Sequence, residues 1–148
     1  MTLLVPFDDS PLSTAALEKA AEFGRLIDED VLVLTVIPDD SEYALERGWL
    51  HEHEGFDPET IAEKMRKRVA EIAPNARFRY ETVDSDEPTA TTTTNVVRQI
   101  RTVAMDVDAS VVFVGTENAG SVVAPLSSVG GPVANDPHYD VYIVRHDG

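Results

Sequence analysis

Two uninterrupted apolar runs, TLLVPF (Thr2 to Phe7) and VLVLTVIP (Val31 to Pro38), constrain this chain more than any other feature. A strand with one face in water alternates apolar and polar residues. A strand apolar at every position is covered on both faces, which is the condition of a parallel sheet. Parallel neighbours need a crossover, usually a helix. The residues between the two runs supply one. Ser10 offers an N-cap and Pro11 a first helical residue. Leu12, Ala16, Ala20, Phe23 and Ile27 then recur at helical spacing. The chain therefore opens strand, helix, strand, with right-handed crossover as the default.

The same grammar continues. Asp39 to Pro58 is a polar, acidic connection, with a helical turn expected around Tyr43 to Arg47. Pro58 starts a second long helix, with Ile61, Met65, Val69 and Ile72 on its buried stripe. ARFRYETV (Ala76 to Val83) alternates and predicts a strand nearer an edge. Pro88 opens a third long helix, with Val96, Ile100, Val103 or Ala104, and Val107 facing inward. The threonines at 91–94 are weak helix formers and are expected on a solvated face. SVVFVG (Ser110 to Gly115) is a fourth strand and DVYIVR (Asp140 to Arg145) a fifth. The fold class is α/β: a doubly wound open sandwich, one domain over residues 1–148, with no internal repeat or dividing linker.

Charge narrows the partners. Asp and Glu number 27 against 12 Lys and Arg, a net charge of −15. That balance repels phosphate backbones and anionic lipids, so nucleic acid and membrane are not expected partners. The acidic, lysine-poor composition resembles proteins of salt-in halophiles, in which molar salt screens self-repulsion. There are no cysteines, so disulfides, thiolate metal sites and cysteine nucleophiles are excluded. The N-terminus has no basic segment and no long apolar core, and no stretch is long enough to span a bilayer. A cytoplasmic protein is expected.

In an open parallel sheet, ligands bind beyond the carboxyl ends of the strands, where strand order reverses. Three such ends carry polar residues: PFDDSP, TVIPDD and VGTEN. DDSP suggests the acidic pair of a phosphoacceptor domain, but no lysine follows Lys67 to meet a phosphoryl group. GxxxxGKS/T is absent, which excludes a P-loop. No glycine follows the first strand, as a flavin phosphate loop needs, and no GxSxG elbow supports a serine triad. His51 and His53 in HEH lack a third ligand with supporting spacing, so a solvated loop is expected there; His138 and His146 stand alone.

LLVPFDDSPLSTAALEKAAEFGRLIDEDVLVLTVIP, DASVVFVGTENAG and LSSV followed by VYIVR together resemble the universal stress protein family over nearly the whole chain. The resemblance implies a five-stranded parallel sheet in the order 3-2-1-4-5, of the adenine nucleotide alpha hydrolase-like type. It implies a homodimer through the last strand, Asp140 to Arg145. It also divides the functional expectation. Some members bind ATP through G-x2-G-x9-G-S/T after strand four, and others lack the motif.

Here Gly115 matches the first glycine, and Asn118 stands at the second. Aligning LSSV on the family's pattern puts Ser127 at the third glycine and Ser128 at the hydroxyl. That alignment leaves the loop one residue short, while an ungapped count places Ser128 and Val129 there instead. Asp9 stands where the family commonly has glycine. No Lys or Arg occurs between Gly115 and Asp140. Pro6, Phe7, Asp8, Val36 and Val114 remain at positions that would frame an adenosine. The resemblance therefore implies a non-enzymatic stress-response protein with weak or absent ATP binding. The alternative is an ATP-binding member, using ATP with Mg2+ as a nucleotide-dependent switch or slow ATPase.

Overall fold

The computed structural model describes residues 2–84, 92–115 and 139–146. Within them the order is β1 (Thr2–Pro6), α1 (Pro11–Ile27), β2 (Asp30–Pro38), α2 (Ser41–Glu46), α3 (Pro58–Ile72), β3 (Arg77–Val83), α4 (Thr92–Asp106), β4 (Ala109–Gly115) and β5 (Asp140–Val144). The strands form one five-stranded sheet in the order β3-β2-β1-β4-β5, parallel at every pairing. This is the expected architecture, with β3 and β5 at the edges.

The apolar runs are explained by two cores, one on each face. Leu3, Val5, Val33, Ile37 and Phe113 pack beneath α1 and α3, against residues such as Leu17, Ile61 and Met65. Leu4, Leu32, Leu34, Val36 and Val112 face the other way, onto Ile100, Val103 and Ala104 of α4. Successive side chains of one strand thus enter opposite cores, and neither face can be polar. Thr35 interrupts the β2 run and is fully enclosed. Its hydroxyl donates to the Phe7 carbonyl at 2.9 Å, which removes the cost of burying it.

The helix starts follow their caps. Ser10 is the N-cap of α1, its hydroxyl accepting from the Ser13 N–H at 3.2 Å, and Pro11 opens the helix. Asp57 plays the same part for α3, accepting from the Glu59 N–H at 3.2 Å, with Pro58 following. Near the end of α1, a Cβ on Gly24 would sit 2.9 Å from the Glu29 carbonyl and 3.0 Å from Val31 Cγ2, so glycine lets helix and strand close together.

Two local features differ from expectation, and a third expectation falls outside the described residues. Ile27 shares the helical spacing of the apolar residues of α1 but is 56% exposed, because it is the last helical residue and Asp28 turns the chain away at φ 56°. Thr92 and Thr94 are half-buried rather than solvated. The Thr92 hydroxyl donates to Asp40 at 3.1 Å, tying the start of α4 to the segment after β2. The predicted helix start at Pro88 lies outside the described residues, where α4 is first seen at Thr92. No helix among the described residues is long and apolar enough to cross a membrane.

Candidate functional site

Strand order reverses at β1, with β2 on one side and β4 on the other. The carboxyl ends of these three strands border a narrow cleft of about 60 Å³, room for a handful of waters. Pro6, Phe7 and Asp8 come from the end of β1, Val36 from β2, and Val114 and Gly115 from β4. A larger groove of about 740 Å³ lies between α1 and β5, but it sits at the sheet edge, away from the switch point. The chemistry favours the smaller one.

The floor is set by backbone hydrogen bonds. The Phe7 N–H donates to the Leu34 carbonyl at 2.8 Å, although β1 has already ended at Pro6. Residues two apart on a strand direct their backbone groups the same way. Val36 therefore points its N–H and carbonyl toward the space beyond β1, where no strand among the described residues pairs with it. An unpaired N–H beside an unpaired carbonyl is a ready template for the donor and acceptor edge of a base.

Asp8 is half-buried at the mouth. One carboxylate oxygen accepts from the Ser10 N–H at 3.0 Å, and its own N–H donates to the Ser13 hydroxyl at 3.4 Å. These contacts fix the carboxylate beside the first turn of α1. The next residue, Asp9, has φ 63°, in the left-handed region. Asp is among the few residues that enter that region at modest cost, and the Arg68 side chain donates to its carboxylate at 3.1 Å.

Gly115 closes the opposite wall. A Cβ there would lie 2.8 Å from Leu12 Cβ. Glycine at the end of β4 thus allows the first turn of α1 to approach the strand. Val96, Val97 and Ile100 of α4 complete the apolar lining.

The remaining wall comes from the segment after β2, the acidic connection whose expected helical turn is α2 (Ser41–Glu46). Asp40 caps α2, accepting from the Tyr43 N–H at 3.2 Å. Trp49 is buried, its indole N–H donating to the Asp8 carbonyl at 3.0 Å. Its ring meets that of Tyr43 edge-on at 5.7 Å, and the Arg47 guanidinium lies 3.4 Å over the Tyr43 ring. Burial pushes the Tyr43 hydroxyl above its ordinary pKa; the Arg47 charge opposes this and the Asp8 charge adds to it. Tyr43, Arg47 and Trp49 all line the cleft. The signal in the sequence was the lone Trp of the chain set in an acidic stretch, with Tyr and Arg at i, i+4 just before it.

The model of the universal stress protein family matches residues 1–145. The chain belongs to that family. Among solved structures, it is similar to a universal stress protein in complex with cAMP, at 22% identity, TM-score 0.53, covering 99% of this chain and 97% of the other. It is also similar to a universal stress protein from Archaeoglobus fulgidus in complex with dAMP, at 19% identity, TM-score 0.59, covering 98% of each chain. A second structure from Archaeoglobus fulgidus matches at 20% identity and TM-score 0.57, again over 98% of each chain. No curated protein matches.

For this family member, the five residues expected to frame an adenosine and Gly115, matched to the first glycine of the phosphate motif, line one cleft. Asn118, Ser127, Ser128 and Val129, the expected phosphate side, lie outside the described residues. His51 and His53 are exposed, and the His51 imidazole lies 3.8 Å from Glu54. No group of three His, Asp or Glu that could hold a metal occurs among the described residues.

Proposed function

We propose that this universal stress protein is a non-enzymatic sensor, whose cleft takes the nucleoside half of a nucleotide while holding ATP weakly or not at all. One observation carries the reading: Pro6, Phe7, Asp8, Val36, Val114 and Gly115 converge at the switch point of the sheet. Apolar walls suit a base, the free backbone edge of Val36 suits its hydrogen-bonding side, and the Asp8 carboxylate suits ribose hydroxyls. Structurally similar proteins are in complex with cAMP and dAMP, which supports a nucleotide as the class of ligand. Against a triphosphate stands the absence of any Lys or Arg between Gly115 and Asp140, in a chain of net charge −15. No histidine is among the described residues lining the cleft, and the Asp8 carboxylate accepts from the Ser10 backbone N–H rather than from a hydroxyl, an arrangement that suits binding. Calorimetry with ATP and Mg2+ in molar KCl tests the reading. Weak or undetectable heats are expected; micromolar affinity would overturn it in favour of an ATP-dependent switch or slow ATPase.

The reading includes a homodimer. β5 is an edge strand whose Ile143 is 38% exposed, and an apolar edge left unpaired is an aggregation hazard. Pairing with a second copy along Asp140 to Arg145 removes that edge.

A further inference from the structure

Arg47 is the only Lys or Arg among the described residues lining the cleft. In a chain with 27 acidic and 12 basic residues, carboxylates are abundant partners. Arg66, Arg68, Arg79 and Lys64 each have one within 4 Å. Arg47 makes no ion pair among the described residues. It is parked instead over the Tyr43 ring at 3.4 Å, and that ring is braced in turn by Trp49. A ring face attracts a guanidinium but does not neutralise it. The cation is thus kept at the cleft, on a long side chain that interacts with Tyr43 through its charge, its ring contact and a side-chain hydrogen bond, and no carboxylate among the described residues neutralises it.

We infer that Arg47 reads the ligand's charge, and that the cleft selects a nucleotide with one phosphate, open or cyclic, over both the nucleoside and the triphosphate. This rests on the reading of the cleft as a nucleotide site. The charge balance sets the selectivity. Asp8 contributes one negative charge to the lining and Arg47 one positive charge, and Asp40 stands close enough to act on Tyr43. One phosphate offers two oxygens to the planar guanidinium of Arg47 for a bidentate contact. Further phosphates would meet the acidic field with no second cation among the described lining residues to answer them.

The lone tryptophan, Trp49, borders the cleft, so its fluorescence reports occupancy directly. The native protein and Arg47→Gln are titrated with adenosine, AMP, cAMP and ATP with Mg2+, at low and at molar KCl. Arg47 is exposed and follows a helix end, so the substitution leaves the cores intact. In the native protein, AMP or cAMP should bind roughly fivefold tighter than adenosine, the upper range for an exposed ion pair. ATP should bind more weakly than either, and the advantage over adenosine should shrink with salt. Arg47→Gln should bring the monophosphates to the affinity of adenosine and leave adenosine unchanged. Whichever monophosphate leads, cyclic or open, the inference stands. An equal loss for adenosine and the monophosphates would overturn it, since Arg47 would then be stacking on the base. An unchanged preference in Arg47→Gln, or ATP equal to AMP, would overturn it as well. If adenosine binds and AMP gains nothing, only this inference falls; if none of the four binds, the nucleotide reading falls with it.

Discussion

Gly115 sits where the fold and the cleft depend on the same few tenths of an ångström. Replacing it with alanine adds one methyl group, which would lie 2.8 Å from Leu12 Cβ and 3.4 Å from Leu12 Cδ1. The second contact can be relieved by a rotamer change. The first cannot, because Leu12 Cβ is fixed by the backbone of the first turn of α1, directly after Pro11. Either that turn or the end of β4 must move. Overpacking of this kind costs about 1–3 kcal/mol. Losing a glycine also restricts the unfolded chain, which offsets about 0.4–1 kcal/mol. The net expectation is a destabilisation of roughly 1–2 kcal/mol.

For a domain of this size that corresponds to a fall of about 2–8 °C in Tm. Urea unfolding at fixed salt should show a lower midpoint with an unchanged m value. Because Leu12, Ser10 and Ser13 of the same turn line the cleft, the shift should also weaken ligand binding. A double-mutant cycle isolates the cause. Leu12→Gly removes the opposing Cβ, so Gly115→Ala in that background should cost little. A Gly115→Ala protein as stable as the native one, or an equal cost in both backgrounds, would refute the steric argument.

Asp9 offers a conformational test: with φ 63°, Asp9→Gly should match or exceed native stability, while Asp9→Ala should lose about 1 kcal/mol. Equal midpoints for the two variants in urea would contradict it. Tyr43 offers a pH test. Its folded pKa lies above 10.0 because of burial, so the folded state keeps its proton longer than the unfolded chain and stability should fall as pH rises above about 10. Tyr43→Phe should flatten that decline in denaturation midpoints, and an unchanged slope would remove Tyr43 as its source. Ile143→Lys should convert the proposed dimer to monomer in light scattering, with the far-UV spectrum retained; a native protein already monomeric at high concentration would dispose of the interface. The net charge of −15 predicts a Tm that rises between dilute and molar KCl, and a flat or falling Tm would argue against adaptation to salt.

The fold was legible because its signals are local and repeated. Each buried strand announces itself by a continuous apolar run, and each cap lies within a few residues of the helix it starts. Strand order came from the family resemblance, which periodicity alone could not supply. The strand-end half of the site was legible for a topological reason. Once β1, β2 and β4 are adjacent and parallel, Asp8, Val36 and Gly115 must meet at one rim. The segment carrying Tyr43, Arg47 and Trp49 obeys no such rule. α2 is only six residues long, too short for its periodicity to declare a buried face. Its placement depends on contacts distant in sequence: the Trp49 indole to the Asp8 carbonyl, and Asp40 to Thr92 across the mouth of the cleft. Composition disguised it further, because its neighbours are acidic and a polar connection is expected to be solvated. The residues that distinguish this cleft from a generic strand-end crevice are therefore those whose roles are set by tertiary contacts. Its apolar frame is set by the sheet, whereas the one cation among its described lining residues is an arginine resting on a tyrosine ring.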